Sequence, residues 1–109
     1  MTKEEIAKVL LARENIHVSF HAVEQFQERI ALLPEDVVRE LILDGVKIAE
    51  NVRLLPDGGT LRIRTRRPFP FEFRAILVYD EELECPVVTT ILKGDSWKVR
   101  KQRRRENHG

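Results

Sequence analysis

The stretch that decides the fold is VKIAENVRLL (46–55), PDGG (56–59) and TLRIRTR (60–66). Up to this point apolar residues recur at helical spacing; here they begin to alternate. Pro56-Asp57-Gly58-Gly59 is a strong turn signal between two alternating runs, which predicts a β-hairpin. In its return strand Leu61, Ile63 and Thr65 face one way, and Arg62, Arg64 and Arg66 face the other.

Upstream the pattern is helical. Thr2-x-x-Glu5 forms a capping box ahead of Ile6, Val9 and Leu10, predicting a first helix over 3–13 that ends near Asn15. Ser19 can cap a second helix over about 20–31, with Val23, Phe26 and Ile30 on one face. Pro34-Glu35-Asp36 suits a first helical turn, and a third helix through Val37, Val38, Leu41 and Ile42 is expected to stop at Gly45 as a left-handed cap. Downstream, Pro68 and Pro70 precede a third strand near 71–79. Asp80–Glu84 then forms a tight acidic turn before a fourth strand near 87–92, with Cys85-Pro86 at the turn. A short fifth strand is expected around Trp97–Arg100. The implied architecture is α+β, with N-terminal helices packed on one face of a four- to five-stranded antiparallel sheet. Residues 1–97 form a single domain and 98–109 a basic tail. Phe69, Phe71 and Phe73 alternate and are read as core.

The 109 residues carry a formal net charge of +1, and that near-neutrality is a cancellation. Residues 1–50 hold 6 basic and 10 acidic side chains; residues 51–109 hold 13 and 8. The basic half has two clusters: Arg62, Arg64 and Arg66 on the hairpin, and Lys98, Arg100, Lys101, Arg103, Arg104 and Arg105 near the C-terminus. Such clusters neutralise phosphates whatever the net charge of the chain, so these nine residues are the candidate nucleic-acid contacts. A solvated outer sheet face and a solvated tail are the plainer alternatives. No apolar run is long enough for a membrane span, there is no signal-peptide core, and a lone Cys85 suits a reducing compartment. A cytoplasmic location without membrane association is the expectation.

The polar face of the second helix is the other informative feature. His21, Gln25 and Arg29 lie within about 80° of one another around the axis, opposite Val23, Phe26 and Ile30. A His beside an Arg can serve phosphoryl chemistry, one moving the proton of an attacking 2′-hydroxyl and the other holding the transition-state charge. The alternative is a solvated helix face with polar i,i+4 pairs. His17 and His21 are four apart, but the HExxH pattern is absent and His17 falls outside the helix, so no metal or other cofactor is expected.

Phe20-His21-Ala22-x-Glu24 with Arg29, then Pro34-Glu35-Asp36-Val37 and Val87-Val88-Thr89-Thr90, resembles a small prokaryotic family with a His-Ala-x-Glu helix, grouped with RelE-like and BrnT-like toxins. The resemblance spans about residues 17–92. It implies a RelE-like fold, metal-independent ribonuclease activity with His21 and Arg29 as catalytic residues, RNA (free or ribosome-associated) as substrate, and an antitoxin-like protein partner. Gln25 departs from the pattern, which often has Arg there. Two other functions fit the same residues: a non-catalytic nucleic-acid-binding module, and a phage or mobile-element factor that binds a host protein.

Overall fold

The computed structural model describes residues 1–94. The expected strand at Trp97–Arg100 and the basic tail, with Lys98, Arg100, Lys101, Arg103, Arg104 and Arg105, lie outside the described residues. The chain runs α1 (Lys3–Ala12), β1 (His17–Val18), α2 (Phe20–Arg29), α3 (Glu35–Ile48), β2 (Asn51–Leu54), β3 (Thr60–Arg64), β4 (Phe73–Asp80) and β5 (Cys85–Lys93). It is an α+β fold whose five strands lie in the order β1-β5-β4-β3-β2.

The helices begin where capping chemistry places them. The Thr2 hydroxyl accepts the Glu5 amide, and the Ser19 hydroxyl accepts the Ala22 amide. The third helix is longer than expected. Gly45 does not terminate it; it lies buried within α3, where an added Cβ would come within 2.9 Å of both Phe73 and Thr65. The helix therefore needs a glycine here for close packing on the sheet, and residues 46–48 belong to α3 rather than to the hairpin. A left-handed helix cap is found instead at Arg13, at the end of α1, with φ 53°. Its guanidinium donates to the Val46 and Ala49 carbonyls at 2.9 and 2.6 Å, satisfying the last turn of α3.

The hairpin forms as its turn predicts, with Leu54 opposite Leu61 and Arg53 opposite Arg62. Both oxygens of Asp57 are engaged, by the Gly59 amide and the Thr60 hydroxyl, and these bonds hold its carboxyl below the usual value of 3.8. Strand β5 begins at Cys85, so Cys85-Pro86 belongs to the strand and not to the turn. A bulge at Thr89 shifts its register against β4.

The sheet is mixed, which corrects the all-antiparallel expectation. His17 and Val18 pair in parallel with Val87 and Val88, so the outermost strand comes from the link between α1 and α2. The core lies between one sheet face and the helices. Leu61, Ile63, Phe73, Ala75, Leu77 and Ile91 from the strands meet Leu10, Phe26, Val38, Ile42 and Val46 from the helices. Phe26 sets its ring edge-on to Phe71 and Phe73 at 5.7 and 5.6 Å, and Phe69 meets Phe73 at 6.0 Å. Phe69 and Phe71 are partly buried against this core, as their alternation suggests.

Candidate nucleic-acid interface

The polar stripe of α2 is fixed by the edge of β5. Beyond Val88 the short β1 no longer covers that edge, and an uncovered strand leaves backbone groups without partners. Helix α2 supplies them in sequence. The Ser19 amide donates to the Val88 carbonyl at 3.1 Å. The Gln25 side-chain carbonyl accepts the Ile91 amide at 2.8 Å, and Arg29 donates to the Ile91 carbonyl at 2.7 Å. Gln25 is only 8% exposed, so it does not belong to a solvated face as its spacing suggests.

With its oxygen committed to Ile91, the Gln25 amide nitrogen must face His21, whose Nε2 lies 2.9 Å away. An amide nitrogen can only donate, which assigns Nε2 as the acceptor and places the ring proton on Nδ1. His21, Gln25 and Arg29 thus form a connected set anchored to one backbone residue. The i,i+4 pair on this helix is His21–Gln25, and it serves the strand edge.

Among the described residues, no helix packs on the other face of the sheet. Across it, Asn51, Arg64, Arg74 and Leu92 form one row and Arg53, Arg62, Ile76 and Thr90 the next. The rows are separated by about 6.8 Å, two residues of antiparallel strand. Arg53 directly faces Arg62, and Arg64 directly faces Arg74. Like charges directly opposite one another destabilise a strand pair, and here two such pairs are adjacent. Among the described residues the only ion pair is Arg39–Glu35, far along the chain on α3. Arg64 donates to the Gly94 carbonyl at 2.6 Å and Arg74 to the Lys93 carbonyl at 3.2 Å.

Arg62 and Arg64 therefore share a face, as alternation requires. Arg66 lies past the end of β3, exposed, beside Arg67 in a cleft bounded by the end of α3. The structure does not bring His21 and Arg29 together with these arginines. Helix α2 packs on the core face through Phe26, and β4 separates β5 from β3. Among the described residues no hydrogen bond or cleft joins His21 or Arg29 to these arginines, so a single active site combining them is not formed. Among the described residues no three His, Cys, Asp or Glu side chains cluster as metal ligands, and no helix is long and apolar enough to cross a membrane.

Two members of the interface escape a reading by stripes. Arg53 and Arg74 belong to neighbouring strands and join Arg62 and Arg64 only through register. Counting back from the Asp57-Gly58 turn would have placed Arg53 opposite Arg62. Comparison of the chain with family models, with curated proteins and with solved structures yields no match.

Proposed function

We propose that this chain binds RNA through the open face of its sheet, as a non-catalytic module in which Arg53, Arg62, Arg64 and Arg74 neutralise backbone phosphates. The observation that carries the reading is the cross-strand juxtaposition of the two exposed arginines Arg53 and Arg62, with no carboxylate paired to them among the described residues. A phosphate placed between two such guanidiniums converts a repulsion into two charge-assisted hydrogen bonds. Ile76, Leu92 and Thr90 beside the arginines offer apolar and hydroxyl contact to sugars and bases. The resemblance to RelE-like ribonucleases over residues 17–92 favours RNA over DNA.

Catalysis by His21 and Arg29 is not part of this reading, since Arg29 is bonded to the Ile91 carbonyl and His21 to Gln25, and no bond or cleft among the described residues joins them to the arginines. Four phosphate contacts on a single strand give a slope of log affinity against log salt of about −3. The test is fluorescence anisotropy with a labelled single-stranded RNA over a range of salt, with the RNA then run on a denaturing gel in EDTA. Salt-dependent binding with intact RNA is expected. Binding insensitive to salt, or none, overturns the reading in favour of a protein-interaction domain. Cleavage by the wild type that His21→Ala abolishes restores the ribonuclease alternative.

A further inference from the structure

The arginine face does not end at the edge of β3. Asn51 and Arg64 line both the depression on the open sheet and a second cleft of about 370 Å³ between the end of α3 and the loop 66–69. A strand lying on the sheet therefore has a continuous path into a recess large enough for one small ligand. The recess mixes three kinds of chemistry. Arg66 and Arg67 are exposed cations on one wall. Ile48, 62% exposed, and the half-buried Phe69 supply apolar surface. Glu50, exposed and next to Asn51, supplies a carboxylate.

The walls are fixed by packing. An added Cβ at Gly45 would stand 3.1 Å from Phe69, so the absence of a side chain there lets the loop close on α3. The end of a helix would normally repel phosphate through its negative dipole. Here Arg13 already occupies the Val46 and Ala49 carbonyls, which removes much of that repulsion.

We infer that this cleft is a subsite for one unstacked guanine nucleotide of the bound strand. The inference rests on the RNA-binding reading and adds base selection to it. Single-stranded RNA is read by splaying a base out, stacking it on an apolar or aromatic side chain and hydrogen-bonding its Watson–Crick edge. Phe69 and Ile48 provide the stacking surface, and Arg66 and Arg67 hold the flanking phosphates. Glu50 selects the base. A carboxylate is acceptor-only, and guanine alone presents two adjacent donors, N1–H and the N2 amino group, to its two oxygens. Uracil offers one donor flanked by carbonyl oxygens that the carboxylate repels.

The test uses the full chain and two labelled RNAs of about twelve nucleotides, a length within the span of one small binding domain. One is uridine throughout; the other carries a single central guanosine. A bidentate base contact predicts that the wild type prefers the guanosine strand by about tenfold. Glu50→Ala, at an exposed position, is expected to abolish the preference while binding the uridine strand at least as tightly as the wild type does, because the carboxylate's repulsion is gone, with an unchanged thermal melt showing that the fold is intact. Equal binding of the two strands by the wild type, or a preference that survives Glu50→Ala, overturns the subsite while leaving RNA binding in place. Failure to bind either strand overturns both.

Discussion

Two regions of this molecule carry polar residues at regular spacing, and they have opposite fates. On α2, His21, Gln25 and Arg29 follow a helical period and are consumed by the backbone of β5. On the open sheet, Arg53, Arg62, Arg64 and Arg74 follow the strand period, and the exposed pair Arg53 and Arg62 meets no carboxylate among the described residues. The first set resembles a catalytic constellation in sequence, and in the structure its Gln25 and Arg29 bond the edge of β5. The second resembles a solvated surface and is the stronger candidate for binding. The difference lies in what each set faces: a buried strand edge must be satisfied from within the protein, whereas exposed arginines set opposite each other across a strand pair favour an anion from outside.

The sharpest way to break this comparison is to reverse the charge of the second set. Arg53→Glu combined with Arg62→Glu should lower RNA affinity on the order of a hundredfold at moderate salt, because two phosphate contacts become repulsions. Titration of the variant by anisotropy checks this, and an affinity within about twofold of wild type would place the RNA elsewhere.

The first set is broken through Gln25. Gln25→Leu fits the apolar surroundings of Ala22 and Phe26 but leaves the Ile91 amide without its partner. The expected cost is about 1–3 kcal/mol, read from the midpoint of urea unfolding. RNA affinity of the folded variant should not change. Loss of affinity without loss of stability would mean that the α2 stripe belongs to the binding site after all.

What the sequence revealed follows from the range of each interaction. Helix starts were legible because Thr2 and Ser19 bond within three residues of themselves. The hairpin was legible because Asp57 and its neighbours fix the turn locally. Gly45 was misleading, since the signal for a helix stop is identical to the signal for a tight helix–sheet approach, and only Phe73 and Thr65, distant in sequence, decide between them. The parallel strand was invisible for a similar reason: two residues, His17 and Val18, carry no periodicity, and their partners lie some seventy positions later. Candidate site residues were legible by type but not by role. Arg62 and Arg64 were placed correctly on one face, yet their pairing with Arg53 and Arg74 depends on register across three strands. The roles of Gln25 and Arg29 depend on the backbone of Ile91.

A smaller effect sharpens the contrast from the stability side. If the Arg53–Arg62 contact is kept for binding and not for folding, then relieving it stabilises the free protein. Arg62→Thr, which suits a strand and removes one charge of the pair, should raise the unfolding free energy by about 0.2–1 kcal/mol while weakening RNA binding. Denaturation of the same variant with and without RNA separates the two effects. A variant that loses stability would show that the arginine supports the sheet, as Gln25 does.

The smallest expected effect belongs to the residue that the sequence made most conspicuous. His21 is exposed, and its only hydrogen bond among the described residues is the one its Nε2 accepts from Gln25. His21→Ala removes that bond but not the one between Gln25 and the Ile91 amide, and the freed Gln25 N–H opens toward solvent where water can replace the imidazole. The stability loss should stay below about 1 kcal/mol, less than for Gln25→Leu, because no buried backbone group is left unpaired. RNA affinity should be unchanged, because no bond or cleft among the described residues joins His21 to the arginine face. The two variants together separate anchor from ornament: Gln25 holds the strand edge directly, and His21 only orients Gln25. A His21→Ala variant as unstable as Gln25→Leu would show that Gln25 cannot hold Ile91 without the imidazole behind it, and the hold on the β5 edge would then be a three-residue unit.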